Sequence, residues 1–384
     1  MKLFSERAGK LYHTQSDYDC FVPTSLYNVH IANDNELASL LSEANLSLGQ
    51  LDGLATALPD RDLFLSMYVQ KEAVVSSQIE GTQASLSDVL QSSKTTAEKR
   101  KETEEVVNYV HALNTGVSLL DPLPVSMRYI KKLHKELLKG VRGEDKDPGE
   151  IRRSQNWIGP KGCTLAAATY VPPSVDQMTE CLHDLENYMN SSLEVAPLIK
   201  IALIHYQFET IHPFLDGNGR LGRLLIPLWL KAHGIFNYPL IYLSLYFKEN
   251  RQEYYALLMD VRFKGRYEEW IKFFLKGVTL MSKQAIKTIT EISEVKEMCL
   301  KKIEKSSSRA KGNQLRLFSF IMKHPYFDSG DVTSNLQVSK PTASKLIQDF
   351  VAMGIVSSID KEKQRYVTYR FDRYVDILEK GTNL

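Results

Sequence analysis

Cysteine is scarce in this chain of 384 residues: there are four, at Cys20, Cys163, Cys181 and Cys299. No two of them form a C-x-x-C pair, so neither a thiolate metal cage nor a disulfide framework is expected. The thiols read as the reduced ones of a cytoplasmic protein. Charge of one sign is also missing, since 48 Lys and Arg face 46 Asp and Glu, a net of +2. That balance predicts neither nucleic-acid nor membrane binding for the chain as a whole. No apolar run approaches membrane-spanning length, and the charged opening from Met1 to Arg7 leads into no signal-type stretch. Internal repeats are lacking too. What is left, 43% hydrophobic and 24% charged residues, is ordinary for a globular protein of two or three domains.

Against that plain background, one stretch concentrates chemistry. From His212 to Arg223 the chain reads HPFLDGNGRLGR, with a titratable base, a carboxylate, three glycines, an amide and two guanidiniums. Upstream, Ile201, Ile204, Phe208 and Ile211 recur at spacings of three and four, one apolar helix face. Pro213 ends that helix, because proline disfavours the helical region at the residue before it, and His212 is left at the helix end. Asp216-Gly217-Asn218-Gly219 is turn sequence. Leu221, Leu224, Leu225 and Leu228 then restart the helical period.

A loop that opens a helix presents N–H groups and the positive end of the helix dipole to an anion. Arg220 and Arg223 share a face of the first turns and suit bidentate contact with phosphate. Asp216 stands where one carboxylate could hold Mg²⁺ against phosphate oxygens, and His212 can take a proton near neutral pH. The combination points to phosphoryl or nucleotidyl transfer. Three other patterns overlap it. Gly217, Gly219 and Gly222 spell G-x-G-x-x-G, but after a helical period rather than a strand. Glu209-x-x-His212 and Glu180-x-x-His183 resemble di-iron units, against which Pro213 and the phosphate-type loop argue. An EF-hand fails at Arg220 and Pro227.

The stretch is similar to the signature of the Fic family, H-x-F-x-D/E-G-N-G-R-x-x-R, at every defined position. Pro148-Gly149-Glu150-Ile151-Arg152, Trp157-Ile158-Gly159 and Tyr170-Val171-Pro172-Pro173 resemble the family's flap region. Asn250-Arg251 with Tyr254-Tyr255, and Trp270 with Phe273-Phe274, resemble its later helices. The resemblance covers residues 105 to 280. It implies a mainly α fold, a helical core with a small β-hairpin flap, that binds ATP with Mg²⁺ and transfers AMP to a Ser, Thr or Tyr hydroxyl of a target protein or of itself. His212 is then the general base and Asp216 the Mg²⁺ ligand. Gly217 and Gly219 line the anion hole, Asn218 and Arg220 steady the α and β phosphates, and Arg223 holds the γ-phosphate. Leu221 and Gly222 complete the phosphate segment, Phe214 packs inward, and Asn250 contacts the nucleotide. Gly219, where phosphorylating members carry lysine, favours AMP transfer. The span from Thr164 to Tyr170 is expected as a hairpin along which a target lies through main-chain hydrogen bonds.

Ser76-Ser77-Gln78-Ile79-Glu80-Gly81 resembles the family's inhibitory helix motif, S/T-x-x-x-E-G/N. Leu63, Met67 and Val74 fall on one helical face before it, and Gly81 suits a C-terminal cap. The resemblance implies that Glu80 reaches Arg223 and competes with the γ-phosphate, with Ser76 in the same motif. The same glutamate serves AMP removal in some relatives, so a de-AMPylase is the first alternative and a nucleotide-sensing DNA-binding regulator the second.

The expected domains are an N-terminal helical region over 1–105, a catalytic core over 106–285, a helical and polar linker over 286–312, and a C-terminal module over 313–384. That module resembles a winged helix. Leu315, Phe318, Ile321 and Met322 mark a first helix, and 331–336 a short second one. Ser339 caps a third, whose apolar face is Ala343, Leu346, Ile347 and Phe350 and which Gly354 closes. Strands at 356–359 and 365–371 flank a charged wing, 360–363. Lys340, Lys345, Lys361, Lys363 and Arg365 could meet DNA phosphates. Yet residues 301–384 hold only about six more basic than acidic residues, modest for such a face. Homodimerisation is common in the resembling family.

Overall fold

The computed structural model describes residues 5–382 except 33, 59–60, 92–96, 122, 161, 193, 307–309 and 360–366. It opens with a hairpin of β1 (Gly9–His13) and β2 (Asp19–Pro23), paired antiparallel from Gly9 with Pro23 to His13 with Asp19. This hairpin lies in the region expected as N-terminal and helical. Helix α1 (Asn35–Ala57) starts where the Asp34 carboxylate accepts the Leu37 N–H at 2.7 Å. It packs along α11 (Tyr267–Lys305), the 39-residue spine of the molecule.

Helix α2 (Arg61–Ile79) has no polar face to spare: from Lys71 to Ile79 every residue is buried. A helix apolar or enclosed all round belongs inside, and α2 lies between α4 (Ala97–Leu119) and the later short α9 (Ser244–Glu249). A five-residue α3 (Leu86–Leu90) links α2 to α4, and α5 (Met127–Leu137) packs back on α4. The core continues through α6 (Val175–Met189), α7 (Pro197–Ile211), α8 (Asn218–Ala232) and α10 (Arg251–Lys264). Helix α7 is enclosed on all sides. The Trp270 indole of α11 donates to its Ala202 carbonyl at 2.9 Å.

Helix α11 runs past 285 to Lys305 and buries Ile289, Ile292, Val295, Cys299 and Ile303. The stretch expected as a helical and polar linker is helical to that point, but packed as the second half of α11. Beyond it come α12 (Lys311–Lys323), β3 (Tyr326–Phe327), α13 (Ser329–Leu336), α14 (Lys340–Ala352), β4 (Ser357–Ser358) and β5 (Tyr369–Arg370). The strands form one sheet in the order β3-β5-β4. Ser339 caps α14 with Pro341 in its first turn. The expected wing, with Lys361, Lys363 and Arg365, lies outside the described residues. Helix α15 (Asp372–Glu379) returns the chain to α11 and α2. No helix among the described residues is long and apolar enough to cross a membrane.

Candidate active site

The site forms where α7 stops and α8 starts. His212 caps α7 in the left-handed region, φ 51°, its N–H bonded to Phe208 O at 3.0 Å. Pro213 cannot continue the helix, and the turn aims the imidazole into a cleft. The ring Nδ1 lies 3.4 Å from Glu209 O. A carbonyl only accepts, so Nδ1 carries the proton and Nε2 keeps its lone pair. Burial, then the Arg262 charge, push the His212 pKa down to about 4. His212 is a neutral base with its acceptor nitrogen available.

The connecting loop is tied at almost every carbonyl. Arg152 Nε and Asn156 Nδ2 each donate to His212 O at 3.1 Å, Arg152 N–H to Pro213 O at 2.9 Å, and Asn156 Nδ2 to Phe214 O at 2.9 Å. The Asn218 amide closes the loop on itself, accepting the Phe214 N–H at 2.9 Å and donating to Phe214 O at 2.7 Å. Both ends of that side chain are engaged, so Asn218 holds the loop closed. Phe214 is fully buried and stacks on His134, ring centroids 3.8 Å apart. Gly217, at φ 77°, caps α8 without any side-chain hydrogen bond, leaving the first-turn N–H groups without a side-chain cap. Asp216 Oδ1 accepts the Gly217 N–H at 2.6 Å, and its side chain is 35% exposed.

The two arginines differ. Arg220 is 1% exposed and donates through Nη1 to Glu105 Oε2 at 3.4 Å, while its Nε and Nη2 have no hydrogen-bond partner among the described residues. Nη2 also stands 3.9 Å from Asp216 Oδ1, an ion pair too long for a hydrogen bond. Buried donors without a hydrogen bond are costly, so this guanidinium has donors to offer an anion. Glu105, which also accepts from Thr82 Oγ1 at 2.7 Å, is a support that the sequence did not single out. Arg223 is held by Ser76 and Glu80: Nε donates to Ser76 Oγ at 3.0 Å, and Nη2 to Ser76 O at 2.9 Å and Glu80 Oε1 at 2.8 Å. Burial pushes the Glu80 carboxyl up, but the Arg223 charge and hydrogen bond, with Arg220 and His212 behind, bring it below its ordinary value. Its carboxylate lies over Gly219, where an added Cβ would collide with Glu80 Oε1. Glu80 therefore occupies the ground above the α8 N-terminus.

The cleft, about 560 Å³, is lined by Glu80, His212, Gly219 and Arg223 on one side and by Trp157, Ile158 and Thr169 on the other. Tyr254, Tyr255, Leu258, Met259 and Arg262 from α10 form its far wall. Leu221 faces the core, and Gly222 backs onto His205 and Glu209, so neither side of that pair lines the cleft. Asn250 sits at the junction of α9 and α10, its amide bonded to Tyr246 O at 2.9 Å, outside the lining. The expected hairpin over Thr164 to Tyr170 is a lone antiparallel bridge between Ile158 and Tyr170, with a 3₁₀ turn at Leu165–Ala167. Glu180 and His183 lie on α6, His183 beside Asn187. Among the described residues no group of three or more His, Cys, Asp or Glu side chains could cage a metal, so the di-iron alternative has no site there.

The profile described as Fic/DOC family N-terminal matches residues 38–118, and the one described as Fic/DOC family matches 124–230. Residues 38–118 and 124–230 are thus similar to the two Fic/DOC family domains. The protein adenylyltransferase Fic of Drosophila grimshawi is 33% identical over 145 residues, 37% of this chain and 26% of that protein. The chain thus spans about a quarter of the length of the curated relatives it matches. A Fic family protein from Desulfovibrio desulfuricans G20 has the same fold, with a TM-score of 0.57 at 17% identity, covering 89% of this chain and 97% of its own. A Fic domain containing signaling protein from Bacteroides thetaiotaomicron VPI-5482 aligns with a TM-score of 0.52 at 20% identity, over 66% of this chain and 96% of its own. The matched region takes in α2, the loop and most of α8, so Glu80 and His212 both fall within Fic/DOC sequence.

Proposed function

We propose that this chain is an autoinhibited protein adenylyltransferase, transferring AMP from ATP to a hydroxyl of a target protein and of itself. The observation that carries the reading is the buried Arg220 guanidinium, whose Nε and Nη2 have no hydrogen-bond partner among the described residues, beside the uncapped start of α8, with a neutral His212 at the other end of the loop. Such donors stabilise negative charge that develops on transferring phosphate. His212 Nε2 takes the proton of a Ser, Thr or Tyr hydroxyl. The freed oxygen bonds to the α-phosphorus, the bond from that phosphorus to the bridging oxygen breaks, and pyrophosphate leaves.

One partly exposed carboxylate at the phosphate cradle fits Mg²⁺, which keeps several waters and needs few protein ligands when phosphate oxygens share it. Asp216 would hold it, and the ion would neutralise charge on the departing phosphates. The relatives named adenylyltransferase, and Gly219 in place of a lysine, support AMP rather than phosphoryl transfer. Intact-mass measurement of Glu80→Gly protein after incubation with ATP and Mg²⁺ tests this. A gain of one adenylyl group is expected; a gain of one phosphoryl group, or none, would refute the assignment.

The pH dependence follows from the base. With its pKa near 4, His212 loses activity only when protonated. Labelling should therefore stay level from about pH 8 to about pH 5.5 and fall as pH approaches 4. A profile halving near 6.5, the ordinary histidine value, would contradict the buried neutral base.

The C-terminal elements support a winged-helix reading, with α12, α13 and α14 beside a three-stranded sheet. Their end reaches the inhibitory segment. Gln78 Nε2 donates to Thr382 O and to Ala84 O, both at 2.9 Å, and Gln78 Oε1 accepts from Lys248 at 2.7 Å. Contact of this module with α2 favours a role on the protein itself over an independent DNA-reading domain.

A further inference from the structure

The loop carbonyl of Asp216 is held by a histidine from another helix. His134, fully buried on α5, lies 3.0 Å through Nε2 from Asp216 O. Its other nitrogen, Nδ1, accepts the Gly149 N–H at 2.8 Å. The tautomer follows: Nδ1 is the acceptor, so Nε2 carries the hydrogen and donates to the carbonyl. The ring stacks on Phe214 at an interplanar angle of 17°, and an added Cβ at Gly217 would stand 3.4 Å from Nε2.

Asp216 C=O and Gly217 N–H belong to one trans peptide unit, so they point in opposite directions. Holding the carbonyl outward toward His134 turns the Gly217 N–H inward, where it meets the Asp216 carboxylate at 2.6 Å. Gly217 is in the left-handed region, and glycine lacks the Cβ that resists rotation of the peptide before it. Without an outer hydrogen bond, that unit can turn over. The carbonyl would then face the carboxylate and the phosphate ground, and the carboxylate would lose the Gly217 N–H and keep the Arg220 charge at 3.9 Å.

We propose that His134 is a positioning residue for the Asp216 carboxylate, acting through the shared Asp216–Gly217 peptide and so setting the Mg²⁺-dependent part of nucleotide affinity. The proposal rests on the nucleotide-transfer reading above. Three substitutions separate its parts. His134→Gln keeps a donor at the Nε2 position, His134→Asn keeps only an acceptor at the Nδ1 position, and His134→Phe keeps the stack on Phe214 without either hydrogen bond.

The test measures ATP affinity by calorimetry, with Mg²⁺ and in EDTA, for each variant in a Glu80→Gly background. The expected result is a loss of about tenfold in the Mg²⁺-bound state for Asn and Phe, a smaller loss in EDTA, and retention by Gln. A purely structural histidine would weaken both states alike or lower melting temperature alone. Equal ratios of the two affinities in all proteins, or a Gln variant as impaired as Phe, would overturn the proposal. A Glu80→Gly parent that binds no ATP in either condition would overturn the nucleotide reading and this proposal with it; unchanged ratios in a parent that binds would overturn this proposal alone.

Discussion

Glu80→Gly is expected to raise incorporation of α-labelled ATP into protein by roughly 10- to 100-fold. The Glu80 carboxylate holds Arg223 Nη2 at 2.8 Å, and hydrogen bonds to charged groups are worth about 1.5–3 kcal/mol. A γ-phosphate must displace it to gain the same guanidinium. On the same guanidinium, Nε is committed to Ser76 Oγ and Nη2 also to Ser76 O. The carboxylate also overlies Gly219, so it crowds the anion ground as well as taking the charge. Glycine leaves both vacant while the Ser76 contacts keep Arg223 in place. Glu80→Gln, which preserves shape without charge, should fall between wild type and Glu80→Gly. Labelling unchanged by both substitutions would mean that Glu80 is a partner of Arg223 with no hold on the reaction.

His212→Ala in the Glu80→Gly protein should cut that labelling by on the order of 10²–10⁴, the usual contribution of a general base. Nucleotide affinity should barely change. The imidazole bonds to Glu209 O, and the donors proposed to meet phosphate belong to Arg220, Arg223 and the start of α8. A loss seen in turnover but not in ATP binding is the signature of an interaction made with the reacting hydroxyl. A comparable loss of ATP binding would instead make His212 a support of the nucleotide pocket.

The chemistry was legible because it is local. Helix, proline stop, glycine turn and restarted helix occupy one short stretch, and the structure builds α7, the His212 cap and α8 as the periods indicate. The Glu80–Arg223 pair, 143 residues apart, was reached through a motif resemblance and is present at 2.8 Å. What the sequence hid are the supports that act across the fold. Arg220 leans on Glu105, 115 residues away, and Asp216 O on His134, 82 residues away. A histidine on the apolar face of α5 looks like any core histidine until its two partners are known. The hold of the Asn218 amide on Phe214 was hidden too, since an amide in a glycine turn reads first as a phosphate contact. The β1–β2 hairpin was missed because β2 has four buried residues in a row instead of an alternation. The Lys- and Ser-rich end of α11 read as a linker, although Cys299 and Ile303 keep it packed.

The most direct test of an inhibited AMP transferase compares α-labelled with γ-labelled ATP in wild type, Glu80→Gly and the Glu80→Gly, His212→Ala double variant. The account predicts weak α-label on wild type, strong α-label on Glu80→Gly, and neither label retained by the double variant. Protein labelled from the γ-position, or α-label that survives loss of His212, would contradict it.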